Sequence, residues 1–508
     1  MPQGLLPFKY ENERSESGLT ALAGLPVYQE LAQVVGLCRL ADRHLGLRLS
    51  GQGWTDSQIL LSLILLNLAG GESVEDLRLL EADAGFARVM EACQAHGLPR
   101  KERRALARRW RKEKTRAFPS PSPVRRFLND FHDPAWDAQL TYGTAFVPSD
   151  FGALMDFAAI NAGMLVFLQR GNPQETATLD MDATLIETHK QEALRCYKHF
   201  KAYQPMQVWW AEQEALVHTQ FRAGNVPAGF AQKRVLEEAL ASLPAGVKRV
   251  RLRSDTAGYQ HDLLRYCESG ANKRFGRIEF TVGCPVDAAF KRSVAAVAEG
   301  AWKPLHRIVD GRQVATGREW AEVGHVTDGA GKSKNSPIYR YIAIRTPFEE
   351  QAVLPGTQTP EEPAFPTLEL ARGRYKVFGL VSDMIDWEGE ELIRWHYERC
   401  GKSEQAHAGL KSDLAGGKLP SGRFGANAAW WWISVLAFNL NVIMKSLVLG
   451  KEWKPKRMKA IRFHLINIAG RVVRHSRQWL IRLAKDHPAL ELLVGIRGRI
   501  AAMLPVPT

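Results

Sequence analysis

Three polar residues recur at intervals of seven in the segment IRWHYERCGKSEQAHAGLK, residues 393–411. They are Tyr397, Glu404 and Lys411. Seven residues are close to two turns of an α-helix, so one continuous helix would place the three side chains on one face. A carboxylate beside a lysine can bind a metal ion and a phosphate, as metal-dependent phosphoryl transfer requires. A solvated amphipathic helix has the same spacing, so other motifs must decide between the two.

Two acidic motifs lie upstream of this segment. ATLDMDATLIET, residues 177–188, alternates as a β-strand does and carries Asp180 and Asp182 on one face. RVRLRSDTAGY, residues 249–259, predicts a strand that ends at Asp255 before a glycine turn, where catalytic residues are common. The alternatives are an edge strand with a solvated face for the first motif, and a helix N-cap for Asp255.

Two strands and a helix therefore supply three candidate catalytic carboxylates, which are Asp182, Asp255 and Glu404. Such a set can hold two divalent cations about 3.5–4 Å apart. One cation would activate a water or a 3′-hydroxyl, and the other would stabilise the leaving oxygen of a phosphodiester. Because carboxylate oxygens suit Mg²⁺, we expect two Mg²⁺ ions per site, with Mn²⁺ able to substitute.

The net charge of +14 indicates a polyanionic partner, with nucleic acid first and an acidic membrane second. The densest basic segment is RKERRALARRWRKEKTR, residues 100–116, with ten Lys and Arg against two Glu. Phosphate contact along a duplex and a solvated charged helix explain it equally well. A further basic helix is predicted to start at Ser122-Pro123. The arginines assigned to DNA are Arg103, Arg104, Arg108, Arg109, Arg125 and Arg126.

The length of 508 residues exceeds what one core accommodates, so several domains are expected. The six cysteines form no CxxC pair, which disfavours a zinc ribbon or a disulfide framework and suits a reducing cytosol. The N-terminus does not read as a signal peptide. The most apolar stretch, residues 428–449, holds Asn439, Asn441 and Lys445, which predicts a buried helix rather than a membrane span.

Four motifs in a fixed order carry a resemblance to a known family. They are LDMDATLIET, YKHFKAYQP at 197–205, LRSDTAGYQ, and HYERCGKSEQAHAGLK followed by DLAGG. Together they resemble the insertion-sequence DDE transposases, and most of all the thirteen-eighty family of bacterial insertion sequences. The resemblance extends from about residue 10 to about residue 485. It implies a mixed α/β protein whose ribonuclease-H-like catalytic core is interrupted by a β-rich insertion.

The resemblance and the composition together predict five regions. A helical N-terminal region binds DNA ends, the core comes in two parts around an insertion rich in Gly, Pro and Thr, and a basic helical region follows. Their bounds are 1–147 for the N-terminal region, 148–290 and 376–425 for the two parts of the core, 291–375 for the β-rich insertion and 426–508 for the C-terminal region.

The family's three acids carry over onto Asp182, Asp255 and Glu404. Asp182 is preferred to Asp180 because it directly precedes the Ala-Thr of the first motif. By the same resemblance, Lys411 is the residue that contacts transposon-end phosphate.

A wider signature of related transposases runs Tyr, two residues, Arg, three residues, Glu, six residues, Lys. Tyr397, Glu404 and Lys411 match it, but Cys400 occupies the Arg position and Arg399 stands one residue early. One residue turns a side chain about 100° around a helix, which predicts a different role for Arg399. The candidate DNA contacts in this segment are Tyr397, Arg399, Lys402 and Lys411.

The function that these motifs imply is cut-and-paste DNA transposition. The protein would bind terminal inverted repeats as a homodimer on paired ends, nick the DNA to free a 3′-hydroxyl and join it to target DNA. The expected location is the bacterial cytoplasm at the nucleoid, with no membrane partner. Two alternatives stay open, a ribonuclease-H-like nuclease or resolvase without strand transfer and a non-catalytic DNA-binding protein derived from a transposase.

Overall fold

The computed structural model describes residues 18–47, 53–96, 99–108, 116–325, 339–348, 365–476 and 478–504. The strands are β1 Leu19–Thr20, β2 Thr176–Ala183, β3 Ile186–Glu187, β4 Ala202–Tyr203, β5 Met206–Trp210, β6 Ala215–Gln220, β7 Arg249–Ser254, β8 Glu279–Cys284, β9 Lys303–Val309, β10 Arg312–Glu322, β11 Arg340–Pro347, β12 Thr367–Leu370, β13 Gly373–Ser382, β14 Gly470–His475 and β15 Gln478–Arg482.

Helices make up most of the N-terminal part of the chain, and others lie between the strands of the sheet and in the C-terminal part. The α-helices are α1 Pro26–Val35, α2 Leu37–His44, α3 Asp56–Ala69, α4 Leu77–Ala82, α5 Ala84–Ala95, α6 Arg100–Arg108, α7 Pro121–Asn129, α8 Leu154–Gly171, α9 Gln232–Ser242, α10 His261–Glu268, α11 Ala288–Ala295, α12 Gly389–Tyr397, α13 Lys402–Ala408, α14 Phe424–Ile443, α15 Met458–Ile461 and α16 Ala489–Ala502. Among the residues described, three segments are π-helical, at Gly409–Asp413, Met444–Leu449 and Arg462–Ile466.

One large mixed sheet organises the molecule, with the strand order β6-β5-β2-β7-β8-β13-β11-β10-β9 and β12 paired to β13. Strands β2, β7 and β8 are parallel to one another, and the other neighbouring pairs are antiparallel. Parallel neighbours need a crossover: α9 lies in the connection from β2 to β7, and α10 lies in the connection from β7 to β8. The prediction of a mixed α/β fold is confirmed.

Strand β2 lies inside this sheet, between β5 and β7. Leu179 and Met181 on one face are buried, and so is Asp180 on the other. The alternative of an edge strand with a solvated face is therefore wrong, because both edges of β2 are paired and both faces are covered along most of its length. An acidic residue on such a strand needs a partner or a function.

The β-rich segment after residue 291 extends the same sheet. Strand β11 pairs with β13, which in turn pairs with β8, so β9 to β12 continue the strands of the predicted core. A small apolar cluster that includes Leu305, Trp320, Leu380 and Leu392 packs these strands against α12. The insertion is thereby attached to the helix that precedes Glu404.

A helical layer formed by α3, α8 and α14 packs on the β6 side of the sheet. Helix α14 is buried along nearly its whole length. The buried amide of Asn439 on this helix is hydrogen-bonded, since it donates to Asn161 Oδ1 at 2.6 Å and to Leu216 O at 2.8 Å. Phe424–Leu449 is one stretch in the described part of the chain that is long and apolar enough to span a membrane, and 72% of its apolar window is buried. This agrees with the prediction of a buried core helix.

The C-terminal region is not entirely helical, which corrects the prediction for residues 426–508. Strands β14 and β15 form a hairpin, and β14 also pairs with β1. The sequence alternates there with a period of two, with Val472 buried between the exposed Arg471 and the half-buried Val473. A helical region is predicted there from the basic character of the segment, but the alternation and the β-branched valines favour a strand.

Candidate active site

Asp182 and Asp255 lie side by side at the carboxyl ends of two parallel strands. The register of β2 and β7 pairs Met181 with Ser254, so the next residue of each strand is an aspartate. Neighbouring strands are about 4.8 Å apart, which makes the two carboxylates direct neighbours. Both side chains are partly exposed, and the site is open to a ligand from the strand ends.

The surroundings of the Asp255 carboxyl group disfavour its ionised form. Burial raises its pKa, the charge of Asp182 raises it further, and Arg399 opposes both effects. Asp255 Oδ1 also accepts a hydrogen bond from Ala257 N at 3.0 Å and caps the turn Thr256–Gly258. Asp255 therefore caps this short turn, whereas the residue before α10 is Gln260, so the predicted alternative of an N-cap for that helix is wrong.

We expect Asp255→Asn to stabilise the metal-free protein above neutral pH. The raised pKa means that ionisation favours the unfolded chain, so wild-type stability falls as the pH rises through the folded pKa. The amide removes this cost and can still accept from Ala257 N. The gain should be on the order of 1 kcal/mol. Urea unfolding in EDTA would measure the free energy of unfolding of both proteins at pH 8 and near pH 4. The stability gained by Asp255→Asn should be smaller at the lower pH. An equal gain at both pH values would contradict the raised pKa of Asp255.

Asp180, the other acid on β2, has a structural role. Arg253 on β7 donates to both of its carboxylate oxygens, at 2.6 and 2.9 Å, and both side chains are 1% exposed or less. Burial raises the pKa of Asp180, and the hydrogen bonds from Arg253 oppose that shift. Arg253 Nη1 also donates to Trp395 O at 2.6 Å, so the pair fixes α12 against the sheet. Of the two aspartates of β2, this leaves Asp182 as the one that is partly exposed.

The segment 393–411 is not one helix, which corrects the first prediction. Helix α12 ends at Tyr397, α13 begins at Lys402, and Gly401 between them has a φ of +82°. That left-handed conformation favours glycine and commonly follows the end of a helix. Tyr397 and Glu404 therefore do not share a helix face. The glycine four residues after Tyr397 was the signal that could have revealed the break.

Tyr397 and Glu404 point to different surroundings. The Tyr397 ring lies 5.8 Å from the Arg318 guanidinium of β10, in the insertion, and burial raises its pKa to about 12. Glu404 is exposed on α13. Within the described residues, no group of three or more His, Cys, Asp and Glu side chains is close enough to hold a metal ion together. The structure brings together two of the three predicted acids.

Two cations flank Asp182. Arg399 Nη2 lies 4.0 Å from Asp182 Oδ2, and Lys411 Nζ donates to Leu185 O at 3.3 Å. Burial lowers the pKa of Lys411, and the charge of Asp182 opposes that shift. Helix α12 ends before Arg399, so the helical rotation per residue does not apply to it, and the different role predicted for Arg399 stays a prediction. Lys402 is exposed on α13.

The basic N-terminal helix α6 exposes Arg103 and Arg104 to solvent. The Arg108 side chain and Arg109 lie outside the described part of the chain. Helix α7 begins at Pro121, one residue before the predicted Ser122-Pro123 start. The two arginines on it, Arg125 and Arg126, are both exposed.

One α7 arginine has a partner within the chain, because Arg125 Nη2 donates to Glu75 Oε1. This ion pair would compete with a contact between Arg125 and a DNA phosphate. Of the two arginines, Arg126 is therefore the better candidate for a phosphate contact.

Comparison with known proteins identifies the class. A family model described as transposase DDE domain group 1 matches residues 13–505. The chain belongs to this family and is a DNA transposase. Among solved structures it is similar to a cryo-EM structure of the piggyBac transposase synaptic complex with hairpin DNA, at 10% identity and a TM-score of 0.42 over 96% of this chain and 86% of that chain. The curated proteins contain no match.

DDE transposases generally use divalent metal ions. Asp182 and Asp255 offer carboxylate oxygens, the ligands that Mg²⁺ prefers. Burial and then the charge of Asp182 raise the pKa of Asp255, and a bound cation would favour its ionised form. Arg253, whose guanidinium holds Asp180 and α12, is the residue that the sequence analysis missed. Its position in RVRLRS, on a predicted core strand, was the available signal.

Proposed function

We propose that this protein is a cut-and-paste transposase of the thirteen-eighty family of bacterial insertion sequences. It binds terminal inverted repeats, cleaves the DNA to free a 3′-hydroxyl and joins that hydroxyl to target DNA. The observation that carries the proposal is the pair Asp182 and Asp255 at neighbouring strand ends, flanked by Arg399 and Lys411. The sheet around β2 and β7 is proposed to be a ribonuclease-H-like core, with the five regions predicted from the sequence.

Asp182, Asp255 and Glu404 are the proposed metal ligands. Two Mg²⁺ ions, when bound, supply activation of the attacking oxygen and stabilisation of the leaving oxygen. Asp182 and Asp255 hold the ions on the sheet. Gly401, with its left-handed backbone between α12 and α13, is the proposed pivot through which α13 would present Glu404. Arg399 and Lys411 bind DNA phosphate beside the acids.

The proposed partners are two transposon ends and a target duplex, held by a homodimer. Paired ends require two active sites, and closed two-fold assembly is the commonest solution among soluble oligomers. The excess of 68 Lys and Arg over 54 Asp and Glu supports contact with so much DNA. The proposed location is the bacterial cytoplasm, at the nucleoid.

The test is cleavage of a labelled duplex that carries the element's own terminal repeat. We expect cutting at the repeat boundary with Mg²⁺ or Mn²⁺, none with EDTA, and a loss of at least about 100-fold in Glu404→Gln because an amide is a poor ligand for a hard cation. Glu391→Gln, an exposed glutamate of α12, is the matched control.

Each outcome of this assay has a meaning. Cutting without joining to target DNA would indicate the nuclease or resolvase alternative. Tight binding by the wild-type protein without any cutting in either metal would indicate the DNA-binding alternative. Normal cutting by Glu404→Gln would remove Glu404 from the proposed ligand set.

Helix α6 provides a separate prediction about end binding. We expect Arg103→Gln combined with Arg104→Gln to weaken binding and to lower the slope of log K against log salt by up to about 1.8, since each lost phosphate contact removes about 0.9. Fluorescence anisotropy from 50 to 300 mM salt would measure the slope. Arg292→Gln combined with Lys291→Gln on α11 removes equal charge elsewhere. An unchanged slope in the α6 variant would show that this helix is a solvated surface.

A further inference from the structure

A groove of about 420 Å³ opens between α13, the end of α14 and residues 454–458. Its floor is aromatic, with the rings of Trp209 and Phe438 at 5.8 Å in an edge-to-face contact. Its volume lies within the range of about 300–1,000 Å³ that is usual for small-molecule sites. The cationic side chains that line it are Lys402, Lys445, Lys454, Lys456 and Arg457.

The groove lies on the same face of the sheet as the acidic pair. In the antiparallel pairing of β2 with β5, Trp209 stands opposite Asp180 and Gln207 opposite Asp182. Directly opposed side chains share a face, and two residues along a strand span about 7 Å. The groove is therefore adjacent to the proposed catalytic acids, and α13, which carries Glu404, forms one of its walls.

The indole of Trp209 has an unmet hydrogen-bonding need. The residue is 7% exposed, and its Nε1 is buried without an acceptor among the described residues. Three other buried indoles do have acceptors, since Trp210, Trp430 and Trp431 donate to Thr176 O, Ala415 O and Thr219 Oγ1. A buried donor without an acceptor is destabilising, so the groove is suited to a ligand with an acceptor atom next to an aromatic surface.

The groove also has more positive than negative charge. Arg457 donates to both oxygens of Asp413, at 2.9 and 3.1 Å, so that acid is neutralised. Glu214 is the acid that remains on the lining, against four lysines. Burial lowers the pKa of Lys445, neighbouring Lys454 lowers it further, and Glu214 opposes them. An anion in the groove would offset this repulsion.

Both helical walls depart from α-geometry where they meet the groove. Gly409 and Asp413 belong to one π-helical segment, and Lys445 and Ser446 belong to another. Such segments occur frequently at functional sites. The wider backbone turn changes the direction of the side chains that follow it.

We propose that this groove holds one unpaired deoxynucleotide of a DNA strand, with its base against Trp209 and Phe438 and its phosphate among the lysines. Aromatic side chains combined with a cationic groove are the usual means of holding single-stranded nucleic acid. The inference rests on the proposed transposase function, because the nucleotide would belong to a strand that is displaced beside the acidic pair during cleavage.

Binding in EDTA tests the groove without requiring catalysis. The probes are two duplexes of one sequence, one fully paired and one with a three-nucleotide single-stranded flap. We expect the wild-type protein to prefer the flapped probe. Lys445→Gln combined with Lys454→Gln should lower affinity for the flapped probe at least about tenfold more than for the paired one, and reduce its salt slope by about 1.4, or 0.7 for each contact. Lys451→Gln with Lys459→Gln, two exposed lysines outside the lining, should change both probes equally.

A base analogue reports stacking directly. With 2-aminopurine in the flap, binding by the wild-type protein should quench its emission, and Trp209→Leu should abolish the quenching. Because Trp209 is buried and Lys445 Nζ donates to Lys456 O at 3.2 Å, melting curves must accompany both the tryptophan and the lysine variants. Equal losses on both probes, or no loss at all, would overturn the proposal. Asp182→Asn should keep the flap preference, so failure of the catalytic assignment remains distinguishable.

Discussion

Asp182→Asn and Asp255→Asn should each lower the rate of DNA cleavage by at least about 10³-fold, which corresponds to about 4 kcal/mol of activation free energy. The two carboxylates share one edge of the sheet, and an amide in either place has no charge with which to hold a divalent cation. Binding to the terminal repeat should stay within about twofold, because neither substitution removes a cation that contacts phosphate. Single-turnover cleavage and anisotropy on the same duplex measure the two effects.

The control for these variants is Asp386→Asn, which changes an exposed aspartate in the turn before α12. It should cleave at the wild-type rate. If Asp182→Asn cut normally, the proposed site would be wrong, and if it lost binding together with cutting, the acids would instead support the fold of the DNA-binding surface.

Loss of the buried ion pair should produce the largest effect on stability. Asp180→Asn leaves the Arg253 guanidinium buried with less than its full counter-charge, and breaking such a pair typically costs about 3–5 kcal/mol. The urea midpoint should fall accordingly, and α12 should loosen because Arg253 also holds Trp395 O. The double variant Asp180→Leu with Arg253→Met should recover much of the stability, because apolar residues of similar volume often replace a buried pair without loss.

Substitutions of Asp180 and Asp182, both on β2, are thus expected to have different effects, one on stability and the other on cleavage. Asp182→Asn should lose cleavage without a fall in its unfolding midpoint, whereas Asp180→Asn should lose stability first. A stable, inactive Asp180→Asn would reverse the assignment and make Asp180 the metal ligand.

The sequence was most informative where a repeating pattern of residues and the residue that ends the element lie in the same short segment. The alternation around Asp182 and the strand that ends at Asp255 each belong to one short segment, and the structure has both strands. The helix break was also local, but the regular spacing of Tyr397, Glu404 and Lys411 outweighed the evidence of Gly401. The C-terminal hairpin was missed because basic and apolar residues interleave in strands and helices alike.

Other features could not be inferred because they join distant parts of the chain. The Arg253–Asp180 pair depends on the parallel register of β2 and β7. The groove combines a tryptophan of β5 with residues of α13, the end of α14 and the segment that follows it. No local pattern specifies such a combination, since it arises only when the sheet and the helical layer are packed together.

The first described strand finds its partner near the other end of the chain, since Thr20 of β1 pairs with Gly470 of β14 and Tyr28 Oη donates to Asn441 Oδ1 at 2.7 Å. A ribosome that adds about 5–20 residues per second would need roughly 20–90 seconds to synthesise the chain between them. During that time β1 lacks its strand partner, although Thr20 and Ala21 can already bond to Asp83. A gene copy cut short before the codon for residue 470 would release a chain that cannot complete this pairing, and proteolysis should remove it before it competes for DNA ends.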